Sequence, residues 1–144
     1  MNRNVFLSYS HNNKTKEPAL KIANSLNEMG LNVWLDQIKI KPGESWKEAV
    51  EKGINDSSCV IALVSPHDKE SLNYQKELKS ALSRGKPVFP VIINNASTED
   101  LPEPIKDRLA INVSNNYSEL VKLYEAIEGN QSMWSKVREY LVNR

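Results

Sequence analysis

The feature that most constrains this chain is its alternation of short apolar runs with helically spaced apolar residues. Residues 4–9, 31–35, 59–65, 87–93 and 110–113 read as five strands. After the first, Ala19, Ile22, Ala23, Leu26 and Met29 fall at helical spacing, and Val50 and Ile54 follow the second. A helix over about 72–84 follows the third run, and one over about 117–128, with Leu120, Leu123, Tyr124 and Ile127 on one face, follows the fifth. A polar loop and a short turn near 104–108 separate the fourth run from the fifth. Alternation of this kind implies a parallel sheet with helices on both faces. Right-handed crossovers make the sheet doubly wound, with a ligand crevice at the strand C-terminal ends. That rule selects residues 8–15, 36–46 and 65–77 as the crevice loops.

Local signals punctuate the pattern. Thr15 reads as an N-cap, with Glu17 and Pro18 in the first turn. Gly30 and Gly85 read as residues that end helices. Ser45-Trp46-Lys47-Glu48 is a capping-box pattern. Cys59 to Ser65 is apolar throughout, as in a strand buried on both faces. Pro90 cannot donate to a ladder and predicts an outer position or a bulge for its strand.

At 144 residues the chain is expected to form one domain with a core sufficient without staples. Nineteen Lys and Arg against 18 Asp and Glu leave a net charge of +1, which gives no footprint for nucleic acid or an anionic membrane. Cys59 is the single cysteine, so no intrachain disulfide or multi-cysteine metal site is expected. His11 and His67 lie far apart, and no metal site is expected from them. No apolar run approaches the roughly 20 residues of a membrane span, and MNRNVFLSYS lacks a signal-peptide apolar region. The expected compartment is the cytoplasm. Residues 131–144, with Met133, Trp134, Val137, Tyr140 and Leu141, exceed what five strands need and read as a C-terminal helical extension of a domain spanning 1–130.

Four groups of residues invite chemistry. At about 100° per residue, Tyr74, Leu78, Ala81 and Leu82 share the buried stripe of the third helix, and Glu77 falls on its flank beside Tyr74. Such a carboxylate is either held dry against an apolar wall or solvated beside Lys76 and Lys79. Ser8-Tyr9-Ser10-His11 places hydroxyls at a strand end before a helix start, which suits ribose or phosphate as well as an ordinary polar loop. It carries neither a glycine-rich dinucleotide fingerprint nor a Walker loop, and it lacks the acidic cluster of a phosphate-receiver domain. Trp34-Leu35-Asp36 precedes Pro42-Gly43-Glu44-Ser45-Trp46. Trp46 can stack on a base or pack on its own helix, and Asp36 can accept from a ribose or form a turn. His67 reads as a solvated loop residue and Cys59 as a small core residue.

Taken in order, these stretches resemble the TIR domain family. The matching segments are Val5-Phe6-Leu7-Ser8-Tyr9-Ser10, Gly30-Leu31-Asn32-Val33-Trp34-Leu35-Asp36 and Lys41-Pro42-Gly43-Glu44-Ser45-Trp46. They continue with Cys59 to Pro66, Lys76-Glu77-Leu78, Ala81-Leu82 and Gly85 to Val91, so that the resemblance covers about residues 3–128 and has a bacterial character. It implies a flavodoxin-like, doubly wound, five-stranded parallel α/β sheet. Many members cleave NAD⁺ at the nicotinamide–ribose bond, giving ADP-ribose or a cyclic isomer. By the same resemblance Glu77 is the catalytic carboxylate, Ser8, Tyr9 and Ser10 belong to the first loop of the nucleotide site, and Asp36 ends the second strand beside it. Trp46 matches an aromatic that contacts adenine across an assembly interface. Family enzymes often carry an aromatic four residues before the glutamate; here Asn73 stands there, and Tyr74, one step later, is the candidate for that wall.

The resemblance therefore implies an NAD⁺ nucleosidase with NAD⁺ as substrate and no resident cofactor. It implies self-association with other TIR domains, a role in bacterial antiphage or stress signalling, and a downstream effector that senses the product. The competing expectations are a TIR module that only scaffolds protein partners, and a deoxyribosyltransferase-like enzyme.

Overall fold

The computed structural model describes residues 3–35 and 41–129. Asp36 and the stretch 131–144 lie outside the described residues. The strands are β1 (Asn4–Ser8), β2 (Asn32–Leu35), β3 (Cys59–Val64), β4 (Val88–Ile92) and β5 (Ile111–Asn112). The α-helices are α1 (Lys16–Glu28), α2 (Trp46–Asn55), α3 (Leu72–Ser83) and α4 (Leu120–Glu128). The sheet runs β2-β1-β3-β4-β5 and every pairing is parallel. This is the five-stranded, doubly wound α/β architecture the alternation implies. The chain leaves β1 for β2 on one side and returns to β3 on the other, so the strand order reverses at β1 and β3. A ligand crevice belongs at the C-terminal ends of those two strands.

Alternate residues of each strand build the two faces. Val5, Leu7, Ile61 and Leu63 join Ile22, Leu26, Leu120 and Leu123 beneath α1 and α4. Phe6, Val60 and Ala62 join Val50, Ile54, Tyr74 and Leu78 beneath α2 and α3. All six residues of β3 are buried, as its unbroken apolar run requires. Cys59 is among them, and burial pushes its thiol up to about 12, against a hydrogen bond with Ser58 and the charge of Arg3.

The helix ends follow their local signals. Gly30 adopts φ +104°, Gly30 N–H donates to Asn27 O and Leu31 N–H to Leu26 O, which closes α1 in a Schellman motif. Gly85 closes α3 in the same way, through Leu82 O and, from Lys86 N–H, Ala81 O. Ser45 caps α2 by accepting from Glu48 N–H at 3.3 Å. Thr15 occupies the N-cap of α1 but its side chain caps nothing there. Its hydroxyl instead donates to Ser10 O and accepts from Asn12 N–H, so it closes the preceding loop.

Two expected elements differ in extent. The fifth strand shrinks to Ile111–Asn112, and the first turn of the last helix is a separate 3-10 turn, Tyr117–Glu119, where the Asn116 side chain accepts from Ser118 N–H. Pro90 fits because of that short strand. Ile93 N–H bonds Val64 O on β3 and Val113 N–H bonds Ile92 O, so even-numbered residues of β4 face β5. β5 pairs only from Val91 onward, and no partner there requires an N–H from Pro90.

Candidate functional site

β1 ends where the sheet reverses, and its last residue is Ser8. Alternation puts that side chain on the Phe6 face, beneath α3. The Ser8 hydroxyl donates to Glu77 Oε1 at 2.6 Å. Ser8 is 0% exposed and Glu77 3%. Glu77 therefore sits deeper than the flank position its helical angle gives, because the strand end supplies a donor that lets a carboxylate be buried. One turn earlier on α3, the Tyr74 hydroxyl donates to Leu63 O at 2.5 Å. Burial drives the Tyr74 phenol far above its ordinary value, with the charges of Glu77 and Asp68 adding to the effect, so it remains a neutral donor. α3 is thus pinned to the sheet twice, at the end of β3 and at the end of β1.

A cleft of about 390 Å³ opens between α2 and α3. Trp46, Val50 and Ile54 line it from α2, and Asn73, Glu77 and Ser80 from α3. Trp46, 40% exposed, begins α2, where the Ser45 cap fixes the helix start. The structure thus places Glu77 and Trp46 on the walls of one cleft within one chain. Tyr74 does not line this cleft: its ring is 2% exposed and its hydroxyl is committed to Leu63. Asn73, at the position where the family often has an aromatic, takes the cleft-facing place.

The first loop goes to the other side of the sheet edge. Tyr9 is buried in the core beneath α1, with its ring centroid 4.3 Å from that of His11. Those two border a separate hollow of about 220 Å³ with Asn12, Asn13 and Lys16. Ser10 is half-buried and its carbonyl accepts from Thr15. His67 is exposed with φ +66°.

Several polar residues that the pattern does not single out tie the crevice loops together. Asn12 Oδ1 accepts from Lys14 N–H and Thr15 N–H, and Asn12 Nδ2 donates to both carboxylate oxygens of Asp68 at 3.1 Å. Asn94, at φ +53°, donates to Lys14 O and to the Ser65 hydroxyl. The loops after β1, β3 and β4 are therefore cross-linked by side chains far apart in sequence. The only local trace of Asn94 is its place in an asparagine-rich turn. Among the described residues no group of three His, Cys, Asp or Glu is arranged to hold a metal ion. Among them, too, no helix is long and apolar enough to cross a membrane.

A family model described as TIR domain matches residues 5–125. The chain is 26% identical over 117 residues to the 2′ cyclic ADP-D-ribose synthase AbTIR of Acinetobacter baumannii, covering 76% of this chain and 44% of that protein. It is 27% identical over 117 residues to the NAD(+) hydrolase PdTIR of Paracoccus denitrificans, covering 76% of this chain and 38% of that one. The chain thus spans less than half the length of these relatives. In structure it is similar to a metazoan TIR-STING receptor from C. gigas solved with 2′,3′-cGAMP, with a TM-score of 0.72 and 24% identity over 85% of this chain and 38% of that chain.

Proposed function

Because the chain belongs to the TIR domain family, we propose that it is an NAD⁺ nucleosidase that breaks the nicotinamide–ribose bond with Glu77 as its catalytic carboxylate. The observation that carries this reading is the buried Glu77 side chain, fixed by Ser8 at the C-terminal edge of β1 and bordering the α2–α3 cleft. Two relatives named for NAD⁺ hydrolysis and cyclic ADP-ribose synthesis support it.

The chemistry asks little more of the protein than this group. Nicotinamide in NAD⁺ is already cationic and leaves as a neutral molecule, so no acid is needed to expel it. The ribosyl centre gains oxocarbenium character as the bond breaks. A preorganised carboxylate on the wall of the cleft stabilises that positive charge. Attack by water gives ADP-ribose and releases a proton. Attack by the adenine ring or a ribose hydroxyl gives a cyclic product, again with loss of a proton. NAD⁺ is the substrate and no resident cofactor is needed. Trp46 offers an aromatic face for adenine at the mouth of the cleft.

The same reading makes the protein a cytoplasmic component of bacterial antiphage or stress signalling, activated by self-association with other TIR domains. Its nucleotide product is then the signal for a downstream effector. Incubation of concentrated protein with NAD⁺ tests the reading, and nicotinamide release is the expected result. A folded protein that releases none is a scaffold, and exchange of bases on deoxynucleosides without NAD⁺ cleavage makes it a deoxyribosyltransferase-like enzyme.

A further inference from the structure

We propose that Ser8 is a positioning residue that sets the orientation of the Glu77 carboxylate, an inference that rests on the nucleosidase reading of the cleft. A glutamate has three side-chain torsions, and a carboxylate that stabilises a charge developing at one atom must not sample them freely. Ser8 supplies one such restraint. Its hydroxyl donates to Glu77 Oε1 at 2.6 Å, the short range of a charge-assisted bond. Its backbone belongs to β1, which is paired on both sides, with Ser8 itself opposite Ala62 of β3. The anchor is thus part of the rigid sheet and not of a loop.

The geometry also separates this role from contact with substrate. Ser8 is 0% exposed, and it is absent from the walls of the α2–α3 cleft that Glu77 borders. A serine hydroxyl has one proton to donate. That proton is given to Glu77, and with the side chain out of reach of the cleft Ser8 acts on the reaction through the carboxylate. Alanine at this position preserves the shape of the strand end and removes the donor.

The test is steady-state NAD⁺ cleavage by the full chain and by Ser8→Ala, Ser8→Thr and Ser8→Cys, each checked for folding by circular dichroism and thermal melting. Ser8→Ala is expected to lower kcat about 10- to 100-fold with KM within about twofold. Ser8→Thr, which keeps the hydroxyl, is expected to recover most of kcat. If its extra methyl prevents folding, Ser8→Cys, a weaker donor of nearly the same shape, is expected to fall between alanine and the wild type. A folded Ser8→Ala with unchanged kcat overturns the proposal, as does a variant whose main defect is a raised KM, which makes Ser8 a substrate contact. Chemical denaturation of Ser8→Ala, Glu77→Gln and the double variant reads the pair without any substrate. The double is expected to lose less in unfolding midpoint than the sum of the singles, and strict additivity contradicts the pair. If the wild type releases no nicotinamide, the nucleosidase reading fails and the positioning role with it, while this cycle still reports the contact itself.

Discussion

Beside the Ser8–Glu77 pair, three side chains make separate predictions at the scale of single residues. Trp46 is poised at the mouth of the cleft, where it can hold a base or only support its helix. If it stacks on adenine, Trp46→Ala raises KM for NAD⁺ by the equivalent of about 1–3 kcal/mol while the melting temperature changes little. A fall in melting temperature with KM unchanged assigns the ring to packing instead. Tyr74 is the second. Tyr74→Phe leaves the buried Leu63 carbonyl without its donor, and the expected cost is about 1–3 kcal/mol of folding stability, read by urea denaturation. Unchanged stability contradicts the pinning of α3 to β3. Cys59 is the third. With its thiol pushed up to about 12 by burial, it stays protonated at mildly alkaline pH and is a poor nucleophile. Alkylation is therefore expected to track unfolding, and labelling of the native protein at the rate of a free thiol contradicts that placement.

At the scale of elements, α2 makes a close approach to the sheet at Gly53. The Trp34 ring stacks on Phe6, with centroids 4.9 Å apart, and a Cβ at Gly53 would lie 3.0 Å from the Trp34 ring on its α2 side. Gly53→Ala gains up to about 1 kcal/mol of helix propensity. Forcing a methyl against a stacked ring costs about 1–3 kcal/mol. The expected net result is a lower melting temperature together with a weakened kcat/KM, because α2 carries Trp46. A raised melting temperature contradicts the close packing. These elements also show what a sequence can carry. Gly30, Gly85 and Ser45 end or begin helices through bonds spanning a few residues, and those were legible. Thr15 has the right residue type at the right place, yet a competing loop uses its hydroxyl, a choice made by tertiary geometry. The Ser8–Glu77, Asn12–Asp68 and Asn94–Ser65 bonds join residues 69, 56 and 29 positions apart. No local period encodes such pairs, so Glu77 was readable as a residue beside an apolar stripe but not as one held by β1.

At the scale of the whole molecule, the doubly wound topology explains why one chain presents both parts of the candidate site. Two helices on the same face of the sheet bracket the cleft, and the reversal of strand order delivers Ser8 beneath it. Because Glu77 and Trp46 border one cleft, a mixture of Glu77→Gln with Trp46→Ala is expected to show no more activity than the two variants measured separately. Recovered activity in a confirmed mixed assembly shows instead that a second chain contributes the aromatic. The most direct measurement is nicotinamide release from NAD⁺ by wild type and Glu77→Gln at equal concentration and matched fold. The account predicts turnover by the wild type and a loss of at least about 10²-fold in the variant, the scale of one preorganised electrostatic group. A folded Glu77→Gln variant that retains wild-type turnover contradicts it.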